Sequence, residues 1–277
     1  MKFDEVRQRI EGVPFMSPEQ GKILYDFVYA RKPVDCLELG FAHGVSVCYA
    51  AAALQELGRG HVVAVDLEAS REWQQPSIED LLDRTGFHDY VTVVREKTSY
   101  TWTLKKMLED KPDPAGIFDF CYIDGPKNWT IDGLAFFLVD KLLRQDGWIL
   151  FDDFTWTYGG SSPESRKKLE EAGILVNQMG EDELNTPQVE LIFRHLVMTH
   201  PSYSEFRIHD DWAWAHKVEA PRRVLTVEER APLTSLVKRG LRKLGKAAIG
   251  ARAAAPLFAY PLHTLTNEKL LLLAAIA

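Results

Sequence analysis

The amino-acid sequence predicts a doubly wound α/β fold built on one mostly parallel β-sheet. Short, nearly continuous apolar runs recur along the chain, at residues 34–39, 61–66, 90–94, 118–124 and 147–153. Such runs are typical of strands that are buried on both faces. Segments with helical spacing lie between them, at residues 45–57, 77–84, 100–109 and 131–143. Strands and helices that alternate in this way indicate a parallel sheet with helices on both sides.

Further elements flank this alternating region. Ser17, Pro18 and Gln20 form the pattern of a helix start, a capping box with proline at the first helical position. Near the other end, a helix is expected at residues 187–199. Residues 206–217 alternate enough to predict one or two closing antiparallel strands. We therefore expect an antiparallel edge on the parallel sheet.

The chain divides into a main domain, residues 1–217, and a C-terminal extension, residues 218–277. Within the domain, residues 157–186 are polar and charged, and we interpret them as a lid or insertion near the functional site. The extension is basic and has helical spacing. It permits three interpretations, an arm that forms a homo-oligomer, a lid donated to a neighbour or a membrane-surface helix.

Composition and charge narrow the class of protein. The net charge is −7, and from Lys217 onward eleven Lys and Arg stand against four Asp and Glu. The body is therefore strongly acidic, which disfavours nucleic-acid binding. The charged N-terminus lacks the pattern of a signal peptide, and no apolar run is long enough to span a membrane. Three isolated cysteines suggest a reducing cytoplasm.

The turn after the first predicted strand has the features of a ligand-binding turn. Gly40 and Gly44 allow the backbone to approach a ligand closely, and Glu38 precedes them at the strand end, within reach of an amino group. The second strand ends at Asp66, where an acid accepts hydrogen bonds from ribose hydroxyls. The GxxxG spacing is not the GxGxxG of dinucleotide folds, which disfavours NAD. Taken alone, GxxxG also fits a plain βα turn.

The segment LELGFAHGVS resembles motif I of class I S-adenosylmethionine-dependent methyltransferases, and in particular of catechol O-methyltransferase and its relatives. The resemblance implies a Rossmann-like methyltransferase sheet. It implies that Gly40 and Gly44 line the methionine moiety, that Ser46 binds its carboxylate and that Asp66 binds the ribose. Similarity in VTVVREKTSY places Thr98 beside the adenine.

Acidic residues end two further strands at the same edge of the predicted sheet. Asp124 follows one strand, and Asp152 and Asp153 follow the next. Carboxylates that converge in this way repel one another, and a divalent cation such as Mg²⁺ relieves the repulsion. Lys127 lies three residues beyond Asp124, and beside a cation its ammonium pKa would fall, which suits a general base. The simpler alternatives are helix-capping aspartates and an ordinary ion pair.

The segments IDGPKNW and GWILFDDFTW are similar to the two metal-binding segments of catechol and caffeoyl-CoA O-methyltransferases. The resemblance implies that Asp124, Asp152 and Asp153 hold the metal and that Lys127 is catalytic. Asp124 is also expected to contact the cofactor. The third ligand is usually Asn in these families, and Asp153 is closer to some bacterial sugar O-methyltransferases.

The sequence therefore predicts an S-adenosylmethionine-dependent and metal-dependent O-methyltransferase for a small molecule, either a catechol-like compound or a vicinal diol such as a sugar. Two alternatives remain at this stage. One is a metal-independent N- or O-methyltransferase, and the other is a non-catalytic module that binds S-adenosylmethionine. Trp129, Trp156 and Tyr158 lie next to the acidic residues and serve either as an acceptor wall or as packing.

Overall fold

Seven strands form one sheet in the part of the chain that the structure describes, residues 1–110 and 116–219 of a computed structural model. The strands are β1 (Asp35–Leu39), β2 (His61–Leu67), β3 (Val91–Glu96), β4 (Phe118–Ile123), β5 (Leu143–Phe151), β6 (Tyr203–His209) and β7 (Trp212–Lys217). Their order across the sheet is β3-β2-β1-β4-β5-β7-β6. Strands β1 to β5 are mutually parallel, whereas β7 pairs antiparallel with both β5 and β6. The predicted mostly parallel sheet with an antiparallel edge is confirmed.

The helices occupy the intervals between the strands and precede the first one. They are α1 (Phe3–Arg9), α2 (Pro18–Arg31), α3 (Val45–Leu57), α4 (Ile78–Thr85), α5 (Tyr100–Glu109), α6 (Trp129–Leu142), α7 (Pro163–Glu171), α8 (Glu181–Asn185) and α9 (Gln188–Ile192). Short 3₁₀ turns occur at Glu68–Glu72, His88–Tyr90 and Val176–Gln178, and a π-helical turn, Phe193–Val197, extends α9. The helices predicted at residues 45–57 and 100–109 have the observed bounds.

Two apolar layers cover the two faces of the sheet. Alternate residues of β1 point to opposite faces, since Cys36 belongs to one buried cluster and Leu37 to the other. Helices α1 to α4 pack on the first face, and α5, α6 and α9 pack on the second. This arrangement explains why the parallel strands have nearly continuous apolar sequences, because both of their faces are buried.

The predicted start of α2 is confirmed. Ser17 Oγ accepts a hydrogen bond from the backbone N–H of Gln20 at 3.2 Å, and Gln20 Oε1 accepts one from the N–H of Ser17 at 3.0 Å. Pro18 occupies the first helical position, where a missing N–H costs nothing. The sequence signal succeeds here because the capping box depends on residues only three apart.

The strand predicted at residues 147–153 differs from the observed β5 at both ends. The strand begins at Leu143, ahead of the apolar run, and its pairing with β4 shifts register between Phe118 and Phe120. It ends at Phe151, so that Asp152 and Asp153 follow the strand. The first half of β5 contains exposed polar residues, so the apolar run in the sequence marks only its second half.

The chain beyond residue 219 lies outside the described residues, and so does nearly all of the predicted C-terminal extension, residues 218–277. Within the described ranges, every helix is too short or too polar to cross a lipid bilayer. The predicted lid, residues 157–186, contains α7, α8 and the 3₁₀ turn between them.

Candidate active site

A cavity of about 740 Å³ opens where strands β1, β2 and β4 end and their following loops begin. It lies at the switch point of the sheet, since β1 has β2 on one side and β4 on the other. Ligands of doubly wound sheets bind at such a point. Four of the residues predicted to contact the cofactor line the cavity, namely Gly40, Asp66, Thr98 and Asp124.

The glycine turn after β1 is held tightly against the end of β4. Gly40 has a φ of +84°, and a side chain there would collide with the backbone carbonyl of Asp124. The backbone N–H of Asp124 donates to the carbonyl of Leu39 at 2.8 Å. Gly44, with a φ of +89°, starts α3 and packs against the side chain of Ile78. Both glycines are therefore required by the backbone path.

Glu38 and Ser46 form a buried pair beneath this turn. Their exposed fractions are 3% and 5%, and the hydroxyl of Ser46 donates to Glu38 Oε1. Burial raises the pKa of Glu38 to about 8. Neither residue lines the cavity, and neither does Gly44. Contact of Glu38, Gly44 and Ser46 with the methionine moiety stays a prediction.

Asp66 lies at the end of β2 and joins the glycine turn to the next loop. Its Oδ2 accepts hydrogen bonds from the N–H of Ala42 and from the side-chain amide of Gln74, both at 3.0 Å. Its Oδ1 accepts one from the N–H of Leu67 at 2.6 Å. Burial raises the pKa of Asp66, while these donors and the charge of Arg95 act in the opposite direction. Its carboxylate is thus fixed at the cavity wall.

The far wall of the cavity comes from two other regions. Thr98 and Ser99 lie between β3 and α5, where Ser99 Oγ accepts the N–H of Thr101 at 3.2 Å and caps the helix. From residues 157–186, helix α7 contributes Lys168 and Leu169. The predicted lid thus lies against the cavity.

Three acidic side chains meet beside the cavity. One carboxylate oxygen from each of Asp124, Asp152 and Asp153 lies within 4.8 Å of those from the other two. They are placed together because β4 and β5 are parallel neighbours, so their carboxyl ends share one edge. Burial raises the pKa of Asp124 well above its ordinary range, and Asp152 and Asp153 add to this effect. The cluster therefore favours a positively charged partner.

Asp152 is held in place by two buried aromatic side chains. The hydroxyl of Tyr122 donates to its Oδ2 at 2.6 Å, and the indole N–H of Trp212 donates to its Oδ1 at 2.7 Å. The N–H of Asp153 also donates to Oδ1 at 2.8 Å. A carboxylate offers about four acceptor positions, so one remains for a further ligand. Asp153 itself has a φ of +54°, a conformation that Asp and Asn adopt more readily than other residues.

Lys127 lies among these carboxylates. Its ammonium pairs with Asp124 and lies 3.1 Å from Asp153 Oδ2. Burial alone would lower the pKa of Lys127, but Asp124, Asp153 and Asp152 outweigh it and hold that pKa well above its ordinary value. The protein's own side chains thus raise the pKa of Lys127, whereas a bound cation is expected to lower it.

Sequence reasoning did not predict the contacts that hold the loop of Lys127. Asp132, on α6, accepts the N–H of Asn128 at 2.8 Å and the hydroxyl of Tyr100. The hydroxyl of Tyr158 donates to the carbonyl of Pro126 at 2.6 Å, and its side chain is fully buried.

Neither Trp129, Trp156 nor Tyr158 is among the residues that line the cavity. Packing is supported for Tyr158, which is fully buried, whereas Trp129 is 41% exposed and the acceptor wall stays a prediction. No spacing in the sequence connects Tyr158 with Pro126, because their contact depends on the path of residues 157–186.

Known proteins with similar sequences are methyltransferases. Residues 37–154 match the family model described as a methyltransferase domain. The O-methyltransferase hkm8 of Aspergillus hancockii is 30% identical over 155 residues, which are 56% of this chain and 56% of that protein. The chain thus matches little more than half the length of this curated relative.

Solved structures share the fold. An O-methyltransferase from Bacillus cereus in complex with SAH has a TM-score of 0.53 at 21% identity, covering 79% of this chain and 92% of that one. The SAH-bound methyltransferase PaMTH1 of Podospora anserina has a TM-score of 0.54 at 16% identity, covering 78% and 86%. At these identities the likeness concerns the fold. Together with the family match, it shows a methyltransferase domain over residues 37–154 with the fold of class I S-adenosylmethionine-dependent methyltransferases.

Proposed function

We propose that this protein is an S-adenosylmethionine-dependent O-methyltransferase that acts on a hydroxyl of a small molecule with the help of a divalent cation. The observation that carries the proposal is the position of Asp124, which lines the cavity and also belongs to the cluster of three carboxylates. A methyl donor in the cavity and an acceptor at the cluster would be neighbours. A catechol-like compound or another vicinal diol fits two adjacent oxygen positions at such a cluster.

The donor set suits Mg²⁺. Hard carboxylate oxygens are the ligands that Mg²⁺ prefers, and Asp124, Asp152 and Asp153 offer three of them within 4.8 Å. Three buried or half-buried carboxylates around the single ammonium of Lys127 also leave an excess of negative charge. When bound, a divalent cation lowers the pKa of a hydroxyl that it coordinates.

The chemical demand on the protein is positioning and removal of a proton. The acceptor oxygen forms a bond to the methyl carbon while the bond from that carbon to sulfur breaks, and S-adenosylhomocysteine leaves. Asp66 and the glycine turn would hold the donor in line. Lys127 would accept the hydroxyl proton, which requires the neutral amine. The carboxylates raise the pKa of Lys127 and so disfavour the neutral amine. A cation bound at the cluster would offset this effect and favour the neutral amine.

One observation favours the metal-independent alternative. The ammonium of Lys127 already pairs with two carboxylates, so part of the acidic cluster is neutralised by the chain itself. In that case the carboxylates would orient the acceptor directly. Metal content of the purified protein, measured by elemental analysis, separates the two mechanisms.

The test of the main proposal is an activity assay with S-adenosylmethionine and catechol as the probe acceptor, with and without EDTA. We expect methyl transfer that EDTA abolishes and Mg²⁺ restores. Activity that is indifferent to chelation and to Asp124→Ala would contradict the metal-dependent mechanism. If S-adenosylhomocysteine fails to bind in calorimetry, the proposed function as a whole is wrong.

A further inference from the structure

A chain of hydrogen bonds connects Asp66, at the cavity wall, to the buried side chains of Gln74 and Arg95. At its centre is Gln74, whose side chain is fully buried. The amide nitrogen of Gln74 donates to Asp66 Oδ2 at 3.0 Å and to Ser70 Oγ at 2.9 Å. Its Oε1 accepts a hydrogen bond from Arg95 Nη1 at 2.5 Å. Gln74 therefore connects the acid at the end of β2 to a cation on the neighbouring strand β3.

Arg95 determines which way the amide of Gln74 faces. A guanidinium can only donate hydrogen bonds, so the atom of Gln74 that it contacts must be the oxygen. The amide NH₂ group is then left to face Asp66. The side chain of Arg95 is 6% exposed, and its guanidinium lies 4.5 Å from the ring centre of Phe41. The orientation of both side chains is thus fixed by packing.

The hydrogen bonds to Asp66 leave it with limited capacity. Its Oδ2 accepts from the N–H of Ala42 and from Gln74, and its Oδ1 accepts from the N–H of Leu67. A carboxylate offers about four acceptor positions. Three are taken within the protein, so one is left, on Oδ1. A carboxylate without the Gln74 contact would have a free position on each oxygen and would suit two adjacent hydroxyls.

We propose that Gln74 and Arg95 are positioning residues that restrict Asp66 to a single acceptor position, so that Asp66 binds only one of the two ribose hydroxyls of the cofactor. The inference rests on the proposed function, because it takes S-adenosylmethionine as the ligand of the cavity. Gln74 acts through Asp66 and does not itself line the cavity.

The first test compares three ligands by calorimetry, S-adenosylhomocysteine and its 2′-deoxy and 3′-deoxy analogues. With the unaltered protein we expect one analogue to bind about tenfold more weakly, because a buried acceptor loses its partner. In Asp66→Ala, removing the hydroxyl that Asp66 binds should no longer weaken affinity. Removing the other hydroxyl should change affinity as much as it does in the unaltered protein. If Asp66→Ala abolishes the effects of both hydroxyls equally, Asp66 binds both and the inference is wrong.

The second test changes Gln74. The variant Gln74→Glu keeps the shape but replaces the donor to Asp66 with a like charge, and we expect affinity for S-adenosylhomocysteine to fall about tenfold or more. Gln55→Glu is the matched control, since Gln55 lies near the far end of α3 from the glycine turn and contacts the N-terminal ammonium. It should bind as the unaltered protein does.

Thermal unfolding shows whether the Gln74→Glu protein is folded. If it is not, the deoxy analogues still test the inference on the unaltered protein. A folded Gln74→Glu protein with undiminished affinity would overturn the positioning role. Lack of any binding by the unaltered protein would overturn the proposed function and this inference with it, whereas binding without discrimination by Asp66 overturns the inference alone.

Discussion

The indole N–H of Trp212 donates to Asp152 Oδ1 at 2.7 Å, across a separation of 60 residues in sequence. The contact joins the antiparallel edge strand β7 to the acidic cluster at the end of the parallel strands. Because Tyr122 holds the other oxygen of Asp152, this carboxylate is oriented from two sides.

Trp212→Phe removes the donor and replaces the buried indole with a smaller phenyl ring. We expect the free energy of unfolding to fall by about 1–3 kcal/mol, since a buried acceptor loses its partner. If Asp152 binds Mg²⁺ as proposed, affinity for Mg²⁺ should fall about tenfold to a hundredfold, as is typical when a residue that orients a metal ligand is lost. Denaturant unfolding and Mg²⁺ titration by calorimetry measure the two effects. The control is Trp214→Phe, in the same strand and packed on Phe27, which should change stability without changing Mg²⁺ affinity.

Lys127→Arg separates charge from proton transfer. The substitution keeps a cation near Asp124 and Asp153, but a guanidinium is not deprotonated in proteins. We expect kcat to fall by about a hundredfold to ten-thousandfold, the usual effect of losing a general base, while affinity for S-adenosylhomocysteine is retained. Lys105→Arg, on the exposed side of α5, serves as the control. Near-normal turnover by Lys127→Arg would show that this residue is not the base.

Asp153→Asn tests how many charges the cluster needs. Asn adopts the positive φ of this position readily, so the backbone is preserved. Asp153 is one of the carboxylates that raise the pKa of Lys127, so its neutralisation should lower that pKa. We expect activity to persist with a pH profile of kcat/KM shifted to lower pH, because the neutral amine forms earlier. An unchanged profile would contradict the electrostatic coupling of these two residues.

Gly40→Ala and Gly58→Ala form a matched pair. Both glycines have positive φ, +84° and +68°, so both substitutions carry backbone strain of about 1 kcal/mol. Only at Gly40 does the added carbon collide with a backbone atom, the carbonyl of Asp124, whereas the space at Gly58 is open. We expect Gly40→Ala to unfold at a distinctly lower denaturant concentration and to lose affinity for S-adenosylhomocysteine. Equal stabilities would show that the approach of the turn to β4 is not required.

Glu38→Gln tests the buried pair beneath the glycine turn. Burial raises the pKa of Glu38 from 4.5 to about 8, so the folded state resists ionisation that the unfolded state permits. The stability associated with the neutral carboxyl is fully present at low pH and is lost as the pH rises to about 8. Relative to Glu38→Gln, the unaltered protein should therefore lose stability by at most about 1.4 kcal/mol per pH unit. Unfolding by denaturant across this range measures the difference, with Glu11→Gln, at an exposed position, as the control.

The elements predicted best are those whose signal is local. The bounds of α3 are set by Gly44 and Gly58, which flank it in left-handed conformations and are visible in the sequence. The helix predicted at residues 187–199 is less simple, because α9 passes into a π-helical turn at Phe193. The lid is predicted from its polar composition, and its bounds within residues 157–186 had no sequence signal because α7 and α8 have no buried residue.

The same distinction applies to the candidate site. Asp66, Asp124 and Asp152 were predicted because strand order alone brings the ends of parallel strands to one edge. The role of Gln74 and the hydrogen bond of Tyr158 to Pro126 were not predicted, since each residue lies in irregular chain and finds its partner only through the folded path of a loop. The pKa of Lys127 could not be predicted either, as it depends on how closely the carboxylates approach it.

The close packing of Gly40 against Asp124 has a consequence for which parts of this site can vary. The turn and the acid form one backbone unit, joined by the hydrogen bond between the carbonyl of Leu39 and the N–H of Asp124. We expect substitutions that reshape either segment to disturb the cavity and the acidic cluster together. Helix α7 lies on the other side of the cavity and has no buried residue, so we expect substitutions there to cost little stability. The cavity wall is therefore easier to vary in that helix than at the glycine turn.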